Sequence, residues 1–218
     1  MRCAVIFYHK NIANLYRKSW IEECVRSIKD QTLEDFDVIE LNYGGGDEKY
    51  AEGVRKNYIF LNREFDNHIG AMNYLYSMLF SNGYDVVFNT NMDDVYDKYR
   101  FHHQLNYLIG GKHGCENNLV SSNWEYIDED GKVIKEFKYN MLNIKEELNK
   151  NHNPIAHPAV AMHKSFWDDD LHYNDLLGKE DLDLWQRAVK KGKKLKICVH
   201  FHLLYRIHGN QITKKYKA

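Results

Sequence analysis

Asp93 and Asp94 are adjacent carboxylates that follow a short apolar run at 84–88, and Asn91 stands just ahead of them. The β-branched and aromatic character of Val86 to Phe88 predicts a buried strand. Ligands of open α/β sheets bind beyond the carboxyl ends of strands, and neighbouring oxygen ligands suit Mg²⁺ or Mn²⁺ holding a phosphate. The alternative is an Asx-rich turn that only caps the strand, so the motif needs support from the rest of the chain.

A second acidic pair, Glu180 and Asp181, stands at the start of a predicted helix. That helix has an acidic beginning and a basic end, which suits its dipole, so the pair has a structural explanation beside any catalytic one. Arg206 and His208 belong to a polar cluster over 205–211, which follows the last predicted strand. Polar groups therefore gather after several predicted strands, at the positions where a ligand would lie.

The elements that must position these residues alternate along the first part of the chain. Strands are predicted at 3–8, 36–41, 58–61 and 84–88, and helices at 15–29 and around Leu75 and Leu79, ending at Asn82-Gly83. Alternation of this kind is typical of a parallel sheet covered by helices. The second strand runs into a glycine cluster at 42–47, which permits positive φ and a close approach of the backbone to a ligand.

The pattern changes after Asp94. A helix is predicted over 101–108, a strand with a hairpin turn over 119–131, and further strands at 157–162 and 195–204. His102 and His103 are expected on a solvated helix face. The charged segment 135–153 is interpreted as an exposed or mobile insertion, although Met141, Leu142, Ile144 and Leu148 leave a short helix open.

Composition narrows the class of protein. The chain has 218 residues, 44% of them hydrophobic, and a net charge of −1 from 30 basic and 31 acidic side chains. This balance favours one ordered domain and argues against nucleic acid or an anionic membrane as a partner. Four dispersed cysteines indicate a reducing compartment, and the absence of a leader or a long apolar stretch predicts a soluble, cytoplasmic protein, with peripheral membrane attachment left open.

Several of these signals share one order along the chain, and together they resemble glycosyltransferase family 2. The segments that carry the resemblance are Gln31 to Ile39, Asn42 to Asp47, Asn67 to Asn73, Asn91 to Asp94, Glu180 to Arg187 and Tyr205 to His208. The resemblance implies an α/β GT-A fold, a Rossmann-like sandwich with a mostly parallel central sheet and helices on both faces. It also implies a single domain over 1–218, with a nucleotide-sugar-binding half at 1–95 and an acceptor-binding and catalytic-base half at 96–218.

The resemblance further implies a metal-dependent inverting glycosyltransferase that uses Mn²⁺ or Mg²⁺ and a UDP- or GDP-sugar. Asp181 is the expected base that takes the proton of the acceptor hydroxyl, with Glu180 as the alternative. The expected metal ligands are Asp93, Asp94 and His208. The expected donor-binding residues are Tyr8, Asn42, Tyr43, Asn73, Asn91, Asp93 and Arg206.

Two departures from the family pattern leave the base of the donor nucleotide open. Asn42 and Asn91 stand where the family usually has aspartate, and an amide brings hydrogen bonds without charge. A nucleotidyltransferase is one alternative, but the loop 9–11 lacks the expected glycine-rich phosphate motif. A non-catalytic sugar- or nucleotide-binding module is the other. The donor sugar, acceptor, linkage and oligomeric state are not predicted, and the segment 135–153 is expected to contact the acceptor.

Overall fold

A computed structural model describes residues 1–110, 117–139, 143–168 and 170–211 of the chain. Cys115, together with Met141 and Leu142 of the charged segment, lies outside these described residues. Cys3, Cys24 and Cys198 are buried free thiols. Among the described helices, none combines the length and the apolar character needed to cross a membrane.

The described residues contain nine strands, six of them close to predicted positions. They are β1 (Cys3–His9), β2 (Asp37–Asn42), β3 (Tyr58–Asn62), β4 (Val86–Asn89), β5 (Val95–Tyr96), β6 (Leu119–Ile127), β7 (Val133–Phe137), β8 (Ala161–His163) and β9 (Leu195–Arg206). Within the described residues they form one sheet in the order β3-β2-β1-β4-β8-β6-β9-β5, with β7 paired to β6. The first four strands in this order are parallel, as expected, and β8 is antiparallel to both of its neighbours.

Helices cover both faces of the sheet. They are α1 (Lys18–Lys29), α2 (His68–Ser81), α3 (Arg100–Ile109), α4 (Ile144–Asn149) and α5 (Glu180–Lys190). Side chains alternate across β1, so that Val5 and Phe7 pack on the face that holds α1 and α3, while Ala4 and Ile6 pack on the face that holds α2 and α5. The predicted α/β architecture, with helices on both faces of a central sheet, is confirmed.

The parallel strands set the location of the site. Because β1, β2 and β4 run in the same direction, their carboxyl ends meet at one edge of the sheet. The side chain of Asn67 accepts hydrogen bonds from the backbone N–H groups of Ile69 and Gly70, at 3.0 and 3.1 Å, and so fixes the start of α2 near that edge. The helix that carries Glu180 and Asp181 starts close by.

Three local predictions are corrected by the structure. The strand predicted at 157–162 is a 3₁₀ turn over His157–Ala159 followed by β8, because Pro158 cannot donate to a sheet ladder. The first helix starts at Lys18, not at residue 15, and a separate 3₁₀ turn spans Ile12–Asn14. His102 is exposed as predicted, whereas His103 is half-buried because its ring packs against His200 with 4.4 Å between ring centroids.

The charged segment 135–153 contains more order than its composition suggests. Its first residues belong to β7, and the helix that was left open is present as α4. Leu148 anchors α4, with 1% of its surface exposed, and Gln186 of α5 donates a hydrogen bond to its carbonyl at 2.7 Å. The end of the segment, at Asn153, reaches the cleft described next.

Candidate active site

A cleft of about 320 Å³ opens at the carboxyl edge of β1 and β4. It brings together six of the predicted site residues from both halves of the chain, namely Tyr8, Tyr43, Asn91, Asp93, Glu180 and Asp181. Asn42, Asn73, Asp94, Arg206 and His208, the remaining predicted residues, do not line it. The predicted site residues therefore fall into two groups, those that line the cleft and can contact a ligand and those that do not line it.

Asp93 and His208 form a buried pair on one side of the cleft. His208 Nε2 lies 2.8 Å from Asp93 Oδ2, and the backbone N–H of Asn210 donates to His208 Nδ1 at 3.2 Å. Because Nδ1 accepts, the ring proton is on Nε2 and is donated to the carboxylate. Trp20 and Tyr16 pack on the ring, with centroid distances of 4.9 and 5.4 Å.

Asp94 lies behind this pair and is only 1% exposed. Its Oδ1 accepts the backbone N–H of Arg206 at 2.9 Å, whereas Oδ2 is buried with no hydrogen-bond partner in the described structure. Burial raises the pKa of the Asp94 carboxyl well above its usual range, and the neighbouring Asp93 charge raises it further. Asp94 can support the position of Asp93 but does not reach the cleft.

Arg206 does not line the cleft, and its guanidinium binds other parts of the protein. Its Nε donates to the carbonyl of Asp93 at 3.0 Å, and its Nη1 donates to the carbonyls of Asp128 and Glu129 at 3.2 and 3.3 Å. Its Nη2 lies 2.5 Å from a carboxylate oxygen of Glu23. The guanidinium therefore ties the Asp93 turn to α1 and to the β6–β7 hairpin, which is a structural role instead of the predicted donor contact.

The residues of the Asp93 turn can be tested against the metal that the sequence implies. The described residues hold no group of three His, Cys, Asp or Glu side chains arranged to bind a metal. Mg²⁺ is usually held by one or two carboxylates together with substrate phosphates, so Asp93 at the cleft wall fits an ion that shares its ligands with a diphosphate. His208 fits only after its proton moves to Nδ1, which would break the bond from Asn210.

Asn91 faces the cleft and is held from several directions. Tyr8 donates its hydroxyl to Asn91 Oδ1 at 3.2 Å, and the Asn91 backbone N–H donates to the hydroxyl of Tyr96 at 2.7 Å. Tyr43 lies at the same cleft, and burial raises the pKa of its hydroxyl to about 12, so it is a neutral donor at physiological pH. Asn91, Tyr8 and Tyr43 offer neutral hydrogen-bonding groups and ring faces, which suit a base or a ribose.

Two predicted donor-binding amides have structural partners. Asn42 donates to Glu48 at 2.9 Å and accepts the backbone N–H of Gly44 at 3.0 Å. Asn73 forms a closed pair with the backbone of Tyr173, with both distances 2.9 Å. The glycine cluster beside Asn42 packs on protein side chains instead of the cleft, and Gly45 adopts a positive φ of 79° that favours glycine.

The second acidic pair forms the opposite corner of the cleft, at the first turn of α5. Glu180 Oε1 lies 2.9 Å from His68 Nε2. Burial raises the pKa of the Glu180 carboxyl, but the hydrogen bonds from His68 and the backbone outweigh burial and lower it overall. Burial raises the pKa of Asp181 well above its usual range, and the Glu180 charge adds to this effect. Asp181 is therefore the stronger proton acceptor of the two.

Two unpaired oxygen atoms lie at this corner. Asp181 Oδ1 and Glu180 Oε2 are buried without a hydrogen-bond partner among the described residues. Buried oxygens of this kind are costly unless a ligand or another group pairs with them. We call Glu180, Asp181, His68 and His157 the base corner, and Asn91, Asp93, Asp94, Arg206 and His208 the donor corner.

Sequence reasoning missed two histidines of the base corner. His68 pairs with Glu180 across 112 positions of the chain, and His157 lies 3.8 Å from Asp181. His68 sits inside a segment that contributed to the family resemblance, and His157 precedes a proline, but neither signal indicated contact with α5. The cleft also has an aromatic wall, formed by Tyr16, Trp124, Tyr126 and Tyr205.

Comparisons with known proteins bear on the class of enzyme. No protein-family model matches the chain. An uncharacterised glycosyltransferase from Methanocaldococcus jannaschii is 29% identical over 87% of the chain and 67% of its own length. The O-antigen biosynthesis glycosyltransferase WbnJ from Escherichia coli is 26% identical over 90% of the chain and 77% of its own length.

Solved structures of S. aureus TarS share the fold. TarS residues 1–349 in complex with UDP-GlcNAc match with a TM-score of 0.69 at 13% identity, and the match covers 100% of this chain but 62% of that solved chain. The complex with UDP has a TM-score of 0.65 at 14% identity. The chain thus spans about three-fifths of these solved chains. Sequence and fold together confirm the prediction that the chain is a glycosyltransferase of GT-A fold.

Proposed function

We propose that the chain is a family 2 glycosyltransferase that moves a sugar from a nucleotide-diphosphate sugar to an acceptor hydroxyl with inversion, in a metal-dependent reaction. The observation that carries the proposal is the meeting of Asn91 and Asp93 with Glu180 and Asp181 in one cleft. Carboxylates on two sides of one cleft can serve two tasks, since one can hold the donor diphosphate through a metal and the other can accept a proton.

The base corner supplies the proton acceptor. In a direct displacement, the acceptor oxygen forms a bond to the anomeric carbon while the bond from that carbon to the diphosphate oxygen breaks. The hydroxyl proton passes to Asp181, and the nucleoside diphosphate leaves with the electron pair of the broken bond. The raised pKa of the Asp181 carboxyl favours this transfer, because a general base works best with a pKa near the working pH.

The donor corner holds the leaving group. Mg²⁺ or Mn²⁺ bound there would neutralise charge that develops on the diphosphate. Asp93 is the residue that would ligate the ion at the cleft wall, Asp94 and Arg206 fix the turn that carries it, and His208 orients its carboxylate. Of the three predicted metal ligands, Asp93 fits directly, whereas Asp94 and His208 are better explained as its supports.

The comparisons suggest the chemical class of the substrates. TarS binds UDP and UDP-GlcNAc, and WbnJ is named for O-antigen biosynthesis. We therefore favour a UDP-sugar over a GDP-sugar as donor and a glycan as acceptor. Asn91, Tyr8 and Tyr43 offer neutral contacts for a uridine, and the aromatic wall at Trp124 and Tyr126 offers ring faces for a sugar.

The test is nucleotide release from a panel of UDP- and GDP-sugars, with Mn²⁺ or Mg²⁺ and with EDTA, in the presence of mixed glycan acceptors. We expect metal-dependent release of UDP from at least one donor and no release by Asp181→Asn above background. If the wild-type chain binds UDP-sugars but neither hydrolyses nor transfers from any of them, the non-catalytic module is the correct alternative. Release of pyrophosphate from a nucleoside triphosphate and a sugar phosphate would indicate a nucleotidyltransferase.

A further inference from the structure

His157 is a buried residue of the base corner that the proposed reaction has not yet used. It belongs to the 3₁₀ turn before β8 and is 8% exposed. The side-chain amide of Asn89 donates to His157 Nδ1 at 3.2 Å and to its backbone carbonyl at 3.0 Å. Because Nδ1 accepts, the ring is neutral and carries its proton on Nε2.

That Nε2 proton has two acceptors within reach. The hydroxyl oxygen of Tyr173 lies 2.8 Å from His157 Nε2 and takes the hydrogen bond in the structure as it stands. Asp181 Oδ1 lies 3.8 Å from the same nitrogen and is buried with no hydrogen-bond partner among the described residues. A movement of less than about 1 Å would bring this oxygen within hydrogen-bond range.

A carboxylate is a stronger acceptor than a phenol, because hydrogen bonds to ionised groups are shorter and about twice as strong. The Asp181 side chain keeps 26% exposure although Oδ1 is enclosed, so Oδ2 is the oxygen open to the cleft. A bond from His157 to Oδ1 would leave Oδ2 for the acceptor hydroxyl. It would also satisfy the buried oxygen that is otherwise unpaired.

We infer that His157 is a positioning residue, shared between Tyr173 and Asp181, that donates its Nε2 proton to Asp181 when Asp181 is ionised and so holds the base for reaction. The inference rests on the proposed function for its link to catalysis, but the hydrogen-bond switch itself does not. Burial lowers the pKa of the His157 ring to about 4, which keeps the ring a neutral donor at physiological pH.

The groups that face Asp181 come from every element packed around it. They are Glu180 on its own helix, His68 and Tyr76 on α2, His157 and Tyr173 on the segments before α5, and Tyr8 on β1. His68 is engaged by Glu180 and the three tyrosines are neutral, since burial raises the pKa of each hydroxyl. His157 is the donor for which the structure shows a contact with Asp181, at 3.8 Å from Nε2 to Oδ1.

The experiment measures the titration midpoint of Asp181 by carboxyl ¹³C NMR, with the signal assigned by its loss in Asp181→Asn. Three variants are compared with wild type. His157→Leu removes the donor, His157→Gln keeps an N–H group near the Nε2 position, and Tyr173→Phe removes the competing acceptor while keeping the buried ring. Melting temperatures verify that each variant is folded.

We expect the midpoint to rise by about one pH unit in His157→Leu, which is the size that losing one hydrogen bond to a charged group implies. It should return toward wild type in His157→Gln and fall below wild type in Tyr173→Phe. The midpoint is expected to rise in His157→Leu and to fall in Tyr173→Phe. A general loss of structure would not shift the midpoints of these two variants in opposite directions. If His157→Leu does not fold, the Gln and Phe variants still decide.

An unchanged midpoint in Tyr173→Phe, or shifts in the same direction for Tyr173→Phe and His157→Leu, would overturn the inference. In the active enzyme, the acid limb of the pH profile of kcat/KM for UDP release reports the pKa of the same carboxyl. Opposite NMR shifts without any turnover would sustain the switch and refute the proposed transferase. If the chain transfers sugar, but neither the acid limb of kcat/KM nor the NMR midpoint changes in the His157 and Tyr173 variants, the switch is refuted and the proposed transferase stands.

Discussion

The donor corner and the base corner are built in different ways. In the donor corner, Arg206 and His208 are fully committed to protein partners, and they hold Asp93 from behind and from the side. In the base corner, Asp181 and Glu180 line the cleft and keep buried oxygens without partners among the described residues, whereas the unpaired oxygen of the donor corner belongs to Asp94, which does not line the cleft. The contrast indicates that one corner is preorganised by the protein, while the other is completed by what binds to it.

The largest expected effect concerns the base corner. We predict that Asp181→Asn lowers kcat for sugar transfer by roughly 10²–10⁴-fold, because an amide cannot accept the hydroxyl proton. Glu180→Gln is the matched comparison on the same helix turn and should cost less, since Glu180 is engaged by His68. Steady-state kinetics of UDP release measure both. A greater loss in Glu180→Gln would reverse the assignment of the base.

Arg206 in the donor corner should instead affect the stability of the fold. Arg206 is 1% exposed and bonded to two carbonyl groups of the hairpin and to Glu23. Arg206→Met should lower the free energy of unfolding by about 1–3 kcal/mol, because it leaves the carbonyl groups of Asp93, Asp128 and Glu129 without this donor. Urea denaturation measures this loss. A variant of wild-type stability that has lost affinity for UDP would show that Arg206 contacts the donor after all.

Asp181 should also carry a stability cost that depends on pH. Its folded pKa is raised, so the folded state binds a proton more tightly than the unfolded state, and stability falls as pH rises through the folded pKa. Asp181→Asn should therefore stabilise the protein by about 1–2 kcal/mol at pH 8 and by nothing near pH 3.5. Urea denaturation at both pH values, with exposed Asp66→Asn as control, measures it; equal gains at both pH values would contradict the buried-charge account.

The smallest effects concern the two asparagines that depart from the family pattern. Asn91→Asp places charge at the cleft and should raise metal-dependent affinity for UDP by up to about tenfold. Asn42→Asp should leave that affinity unchanged and cost about 1 kcal/mol of stability, because its new carboxylate would face Glu48 at the present 2.9 Å contact. Calorimetry and urea denaturation separate the two. A rise in UDP affinity for Asn42→Asp would restore its predicted donor role.

Much of the fold could be predicted because its strands are apolar runs with sharp polar ends. Val86 to Asn89 and Cys3 to His9 are nearly continuous buried strands, and strands of this kind must be covered on both faces by helices. The mixed half was harder to predict. The strand β8 is only three residues long, and its neighbour His157 belongs to a 3₁₀ turn that periodicity cannot separate from a strand.

The site residues divide along a similar line. The position of Asp93 directly after a strand predicted its place at the carboxyl edge of the sheet, whereas the family resemblance implied the place of Asp181. The direction of a side chain was not predictable for Asn42, Asn73 or Arg206, because neighbours distant in sequence decide it. His68 and His157 were missed for the same reason, since each meets α5 only in the folded chain.

The most direct test of the division between the corners is a calorimetric titration of UDP with Mn²⁺ into Asp93→Ala and Asp181→Asn, beside wild type. We predict that Asp93→Ala loses the metal-dependent part of its affinity for UDP. Asp181→Asn should bind UDP with Mn²⁺ as tightly as wild type but fail to transfer sugar. The account would be contradicted if Asp93→Ala bound UDP with unchanged dependence on Mn²⁺, or if Asp181→Asn transferred sugar at the wild-type rate.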